Sequence, residues 1–177
     1  MAKVLIAYST TDGHTLKICE RIGQVIEQHE HEVEVRPLGN DASINIESYD
    51  KIVIGASIRY GKHQPSVHRF IEEHRAQLEN TRSAFFSVNV VARKPEKNLP
   101  TTNPYMQKFL KQISWQPYLT AVFAGKINYP IYKFWDRQVI RFIMWMTKGP
   151  TDLDAVVDFT DWGKVDDFAR DVASDPT

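Results

Sequence analysis

Few features of this chain point away from a reducing compartment. It has one cysteine in 177 residues, Cys19, so no internal disulfide can form. Cys19 falls on the inner face of the first helical pattern, where a buried structural thiol is the expected role. No apolar run approaches the roughly 20 residues that span a bilayer. The N-terminus MAKVLIAYS has no charged region, apolar stretch and cleavage site in series, because its apolar residues already belong to a strand, and a cytosolic start is expected. Net charge is lacking too: 22 Lys and Arg balance 22 Asp and Glu, which argues against a surface devoted to nucleic acid but permits local segregation. Glycine is scarce where nucleotide loops need it. The loop after the first strand has Gly13 alone, which excludes the dinucleotide fingerprint, and no Gly-Lys-Ser/Thr closes it as a Walker A loop requires. No metal site is expected.

What is present begins at that loop. Val4-Leu5-Ile6-Ala7 reads as a buried strand, and Leu16, Cys19, Ile22, Gly23 and Ile26 recur at helical spacing behind it. Between them lie Ser9-Thr10-Thr11-Asp12-Gly13-His14-Thr15. Hydroxyls and free backbone N–H groups at a helix N-terminus suit an anion, and phosphate is the natural guest. Two readings stand for the loop alone: a phosphate site, or a strand–helix turn with a helix cap. Ser9, Thr10, Gly13 and Thr15 match the phosphate loop of the flavodoxins, which this stretch resembles, whereas Asp12 and His14 depart from it. Asp12 is expected to turn away and cap the helix, leaving its N–H for the phosphate.

The following segments alternate. Glu32–Val35, Lys51–Ala56, Ala84–Val88 and Tyr118–Gly125 read as strands, with Ala155–Val157 as a further short one. Pro65 opens a helix carrying Val67, Phe70, Ile71 and Leu78, with His74 on the same stripe as a core histidine. Asn103 caps a helix that starts at Pro104, and Thr160 is expected to cap the last one. Strand–helix alternation implies right-handed crossovers and an α/β doubly wound, five-stranded parallel sheet in flavodoxin-like order 2-1-3-4-5, a single domain over residues 1–177. Its switch point would gather three loops: 9–15; Ser57, Ile58, Arg59, Tyr60 and Gly61; and Asn89, Val90, Val91, Ala92 and Arg93, the start of a long loop with Lys94 and Lys97. Their convergence favours the phosphate reading.

A five-stranded fold does not need residues 126–150, an inserted helical segment after strand five. Lys133, Arg137 and Arg141 are four apart and form one cationic stripe on a helix that is otherwise rich in apolar residues, with Trp135 and Trp145 among them. Core, partner interface and membrane surface are its three possible roles. The sheet already has helices to cover it, which weakens the first. Tryptophan beside Lys and Arg suits a bilayer interface, and the partner reading admits a homo-oligomer. Charge is segregated here: Lys126, Lys133, Arg137, Arg141 and Lys148 stand against Asp136 alone, whereas residues 151–177 hold eight Asp against Lys164 and Arg170.

Taken together, Ser9–Thr15, Ile54–Gly61, Ser87–Lys97, Tyr129–Arg137 and Thr160-Asp161-Trp162 resemble the flavodoxin-like, quinone-dependent protoporphyrinogen oxidases of bacterial haem synthesis. The blocks run in order through nearly the whole chain. The resemblance implies an FMN cofactor, protoporphyrinogen IX as reductant, and a membrane quinone (menaquinone or ubiquinone) as oxidant. It also implies a peripheral protein at the cytoplasmic face of the inner membrane, against anionic lipid. Two electrons and protons would leave the porphyrinogen in each of three cycles. Its propionates need cations, and Arg59, Arg93, Lys94, Lys97, Arg137 and Arg141 form the pool; no proton acceptor is singled out. Tyr60 is the expected stacking partner for the flavin ring. A flavodoxin-type electron carrier and an FMN-dependent quinone reductase are the alternatives, and the basic loop and insert speak against the carrier.

Overall fold

The computed structural model describes residues 1–39 and 44–174. Part of the polar link before Ser48, and Asp175 of the acidic tail, thus lie outside the described residues. In chain order, β1 (Lys3–Ser9), α1 (His14–Glu27) and β2 (Glu32–Pro37) precede β3 (Lys51–Ser57), α2 (Pro65–Glu73), α3 (Arg75–Asn80) and β4 (Arg82–Val88). Then come α4 (Pro104–Gln112), β5 (Leu119–Phe123), β6 (Lys126–Asn128), α5 (Phe134–Met146), β7 (Val156–Asp158) and α6 (Trp162–Ala173).

β1 to β5 form a parallel sheet in the order β2-β1-β3-β4-β5. Its central strands are apolar without a break because both faces are covered. Leu5, Ile52, Ile54 and Phe85 pack toward Val67, Ile71, Met106 and Phe109 of α2 and α4. Their alternate neighbours Val4, Ile6, Val53 and Phe86 pack toward Ile18, Ile22, Val165 and Phe168 of α1 and α6. Burial pushes the Cys19 thiol up, in keeping with a structural role on α1. Lys51 is buried, and its ammonium donates to the carbonyls of Val172 and Ala173 at 3.1 and 2.9 Å, neutralising the C-terminus of α6.

Two local expectations change. The helix from Pro65 breaks at His74 (φ −111°, ψ 16°), so α2 and α3 are separate and His74 is only partly buried, against Phe70. Asp161, not Thr160, caps α6, its carboxylate accepting from the Lys164 N–H at 3.2 Å. The long loop after β4 is pinned: Asn103, besides capping α4, donates to Asn89 Oδ1 at 3.0 Å and to the Lys97 carbonyl at 2.9 Å.

The insert is tied to the sheet by its own strands. β6 and β7 pair antiparallel, Ile127 opposite Val157, and a small third core of Ile127, Tyr129, Tyr132 and Met144 seats α5 on them. α5 ends in a Schellman turn, with Lys148 at φ 57° and the Gly149 N–H donating to the Met144 carbonyl at 2.7 Å. A side chain at Gly149 would be crowded. A Cβ would stand 2.6 Å from Met144 Sδ and 3.1 Å from the Arg93 guanidinium.

Candidate functional site

The loops after β1, β3 and β4 meet at the carboxyl edge of the sheet, where the strand order reverses. They and α5 enclose a cavity of about 730 Å³. Residues 10–15, 57–61 and 89–91 line it, so most of the expected loop residues are brought together. Ser9 sits buried behind the loop at the end of β1, and Ala92 and Arg93 do not line the cavity. Neither do Lys94, Lys97, Lys133, Trp135, Arg137, Arg141 and Trp145.

One end of the cavity is built from unsatisfied hydroxyls. Ser9 Oγ, Thr15 Oγ1 and Ser57 Oγ are buried with no hydrogen-bond partner. Buried hydroxyls are normally paired, so these orphans, at the ends of β1 and β3 and in the first turn of α1, call for an external partner. Gly13 precedes α1 at φ 82°, and no side chain caps the helix, which leaves its first N–H groups to a ligand. Lys17 and Lys126 line the same end. These groups fit a phosphate.

Asp12 does not cap α1. Its carboxylate pairs with Arg59 at 3.2 Å, which keeps its charge neutralised beside an anion site. Burial raises its pKa, with Arg59 pulling the other way and Asp136 adding to the rise. His14 also departs from the flavodoxin pattern. Thr160 Oγ1 donates to the Ala124 carbonyl at 2.8 Å and so accepts from His14 Nε2 at 2.7 Å. His14 Nδ1 is then a buried, unpartnered acceptor. Burial lowers the His14 pKa against the pull of Asp158, with Lys126 and Lys17 assisting.

The other end is apolar and roofed by α5. Ile140, Ile143 and Met144 of α5 line it together with Ile58, Val90, Val91 and Tyr132, apolar walls suited to a planar heterocycle. Tyr60, half exposed at φ 50°, crosses the mouth and donates its hydroxyl to Asp136 of α5. Arg59 lies over the Tyr132 ring, 5.2 Å from its centroid. Tyr60 thus lines the cavity and also ties the β3 loop to the roof.

Several expected cations prove to be committed elsewhere. Arg93 donates to the Thr147 carbonyl (2.8 Å), its hydroxyl (3.0 Å) and the Val90 carbonyl (3.1 Å), bolting the end of α5 to the β4 loop. Arg137 folds back to the carbonyls of Pro130 and Tyr132 at 3.4 and 3.3 Å. The sequence reading missed Gly125–Asn128, Tyr105 and the inner face of α5 as lining. The signal for the first was available: the loop after β5 must also open at the carboxyl edge of the sheet.

A sheet in this order, with orphaned hydroxyls by its first loop and an apolar slot at the switch point, defines a flavodoxin-like fold whose site has the chemistry to take a phosphate. The sequence matches the flavodoxin domain family over residues 5–154. It is 44% identical over 175 residues to protoporphyrinogen IX dehydrogenase (quinone) of Leishmania major, spanning 98% of this chain and 76% of that one. The protein of the same name from Escherichia coli strain K12 is 42% identical over 171 residues, 97% of this chain and 94% of that one. In fold it resembles an archaeal flavodoxin (TM-score 0.56, 18% identity, 97% and 96% coverage) and oxidised Flavodoxin 1 of Bacillus cereus (0.57, 16%, 99% of each). The chain belongs to the flavodoxin-domain family, alongside these protoporphyrinogen IX dehydrogenases.

Proposed function

We propose that this protein oxidises protoporphyrinogen IX to protoporphyrin IX with bound FMN and delivers the electrons to a membrane quinone, menaquinone or ubiquinone. The observation that carries the reading is the near-full-length similarity to two dehydrogenases of that name. The cavity supports it, with a phosphate end of unpartnered hydroxyls joined to an apolar slot.

Six electrons and six protons leave the substrate, so three quinones become quinols per tetrapyrrole. When bound, FMN supplies the two-electron acceptor and donor. The chain supplies position. Ser9, Thr10 and Thr15, with the free N–H groups of α1, would hold the phosphate, Gly13 would shape the loop with its own N–H given to Thr10 Oγ1 at 3.0 Å, and Lys17 and Lys126 would balance the charge. Ile58, Val90 and Val91 hold the ring, and α5 excludes water from above it.

The outer face of α5 supports a peripheral seat on the cytoplasmic side of the inner membrane. Trp135, Phe134 and Trp145 are 78%, 63% and 69% exposed, with Lys133 and Arg141 alongside. No helix among the described residues is long and apolar enough to cross a membrane. A surface seat beside the cavity would bring the flavin near the layer in which quinone dissolves.

Anaerobic mixing of the FMN-loaded protein with protoporphyrinogen IX tests the reading. The yellow flavin absorption should bleach and return when quinone is added. A flavin that dithionite reduces but protoporphyrinogen does not would leave a flavodoxin-type carrier. Bleaching by a nicotinamide donor instead would make it a quinone reductase.

A further inference from the structure

A second cavity, of about 520 Å³, opens beside the first on the α2 and α4 face and shares Ile58, Gly61 and Tyr105 with it. At its base lies His63, 7% exposed, edge-on to the rings of Phe85 and Phe109. The fully buried Ser87 hydroxyl accepts from Asn89 Nδ2 at 3.4 Å, and of its partners only His63 Nε2, at 3.0 Å, can take its proton. The ring proton of His63 therefore sits on Nδ1, which has no hydrogen-bond partner among the described residues. Burial, helped by His68, holds the ring neutral by pushing its pKa down to about 3. His63 thus presents a fixed N–H donor.

The mouth is cationic. Lys62 from the β3 loop and Lys108 from α4 are exposed and form no ion pair among the described residues, and His68 of α2 stands with them. No Asp or Glu is among the described residues that line this cavity. A buried donor below two unopposed ammonium groups selects an anion. Walls of Ile58, Pro65 and Phe109 favour an anion carried on a hydrocarbon arm over a bare ion.

We propose that this second cavity is a carboxylate subsite that takes one propionate arm of a tetrapyrrole seated at the edge of the flavin cavity, beside Ile58, Gly61 and Tyr105, which the two cavities share. The proposal rests on the functional reading above and adds Lys62 and Lys108 to the pool of cations, of which Arg59, Arg93 and Arg137 are already engaged.

The product carries the same two propionates and survives in air, so protoporphyrin IX and its dimethyl ester are the probes. Their affinities for the FMN-loaded protein are read from porphyrin fluorescence. The parent should bind the diacid at least tenfold more tightly than the diester. Lys62→Gln/Lys108→Gln, a change at exposed positions, should weaken the diacid at least tenfold and leave the diester and FMN unchanged. His63→Phe should weaken the diacid as well, and the lysine pair keeps the proposal testable if that variant misfolds. Equal affinity of the parent for both porphyrins, or an unaltered diacid affinity in the lysine variant, overturns the subsite while the oxidase reading stands. A parent that binds neither porphyrin overturns both. If inorganic phosphate shifts the His63 N–H resonance and protoporphyrin IX does not, the cavity is a small-anion site and the tetrapyrrole assignment fails.

Discussion

Thr15 is buried at the head of α1 with a hydroxyl that bonds to nothing in the protein, and Ser9 shares that condition 6 residues earlier. An unpaired buried hydroxyl is a standing penalty that a ligand oxygen removes. A hydrogen bond to a charged phosphate contributes about 1.5–3 kcal/mol, so Thr15→Ala should weaken FMN by tenfold or more. Titration of the apoprotein by flavin fluorescence measures this. Unchanged affinity in both Thr15→Ala and Ser9→Ala would move the phosphate out of this loop. That these residues form a loop is visible in a row of small hydroxylated residues between two apolar periodicities. That Asp12 faces Arg59, 47 positions away, is not, because no local pattern encodes the partner of a carboxylate.

At the scale of the element, α5 has two unlike sides. Its inner residues Ile140, Ile143 and Met144 roof the cavity, and its outer stripe of Trp135, Val139, Phe142 and Met146 is exposed, with Met146 also reaching the cavity lining. The spacing of 4, 3 and 4 residues makes that stripe continuous, and an exposed apolar stripe of this length marks a contact surface. A basic residue near an anionic bilayer contributes about 1 kcal/mol. Arg137 is held by backbone carbonyls, so Lys133 and Arg141 carry most of the effect. Lys133→Gln/Arg141→Gln should weaken binding to anionic vesicles by about 2 kcal/mol, roughly thirtyfold, and leave FMN affinity intact. Co-sedimentation in low and high salt measures this. Equal binding by variant and parent, indifferent to salt, would give the outer face to a protein partner or a second copy.

At the scale of the whole molecule, the buried histidine links stability to pH. The His63 pKa falls from 6.5 to about 3 in the fold, because burial penalises the charged ring. Below pH 6.5 the unfolded chain binds a proton that the folded chain refuses, so stability is full above 6.5 and declines as pH drops. One proton gives a slope of up to about 1.4 kcal/mol per pH unit. Between pH 6.5 and 5, denaturant unfolding should show that decline in the parent and a flatter profile in His63→Gln. The comparison separates His63 from Asp12, whose raised pKa acts with the opposite sign. Parallel profiles would mean that His63 is as easily protonated in the fold as outside it.

The same scale divides what the amino-acid order determines from what only the folded chain decides. Strand order, the hydroxyl-rich loop before the first helix and the extra segment after strand five were legible, because apolar period, loop composition and chain order are local properties and right-handed crossovers leave few topologies. The small sheet under α5 was half legible: Val156 showed its strand character, but Lys126–Asn128 gives no sign of pairing with it. Which cations stay available to a ligand was not legible at all. Arg93 is taken by Thr147, 54 positions on, whereas Lys62 and Lys108, which sequence patterns pass over as surface charge, stand together at a cavity mouth. A guanidinium or ammonium is free or engaged according to what distant segments bring within about 3 Å of it, and only the packing of those segments decides that.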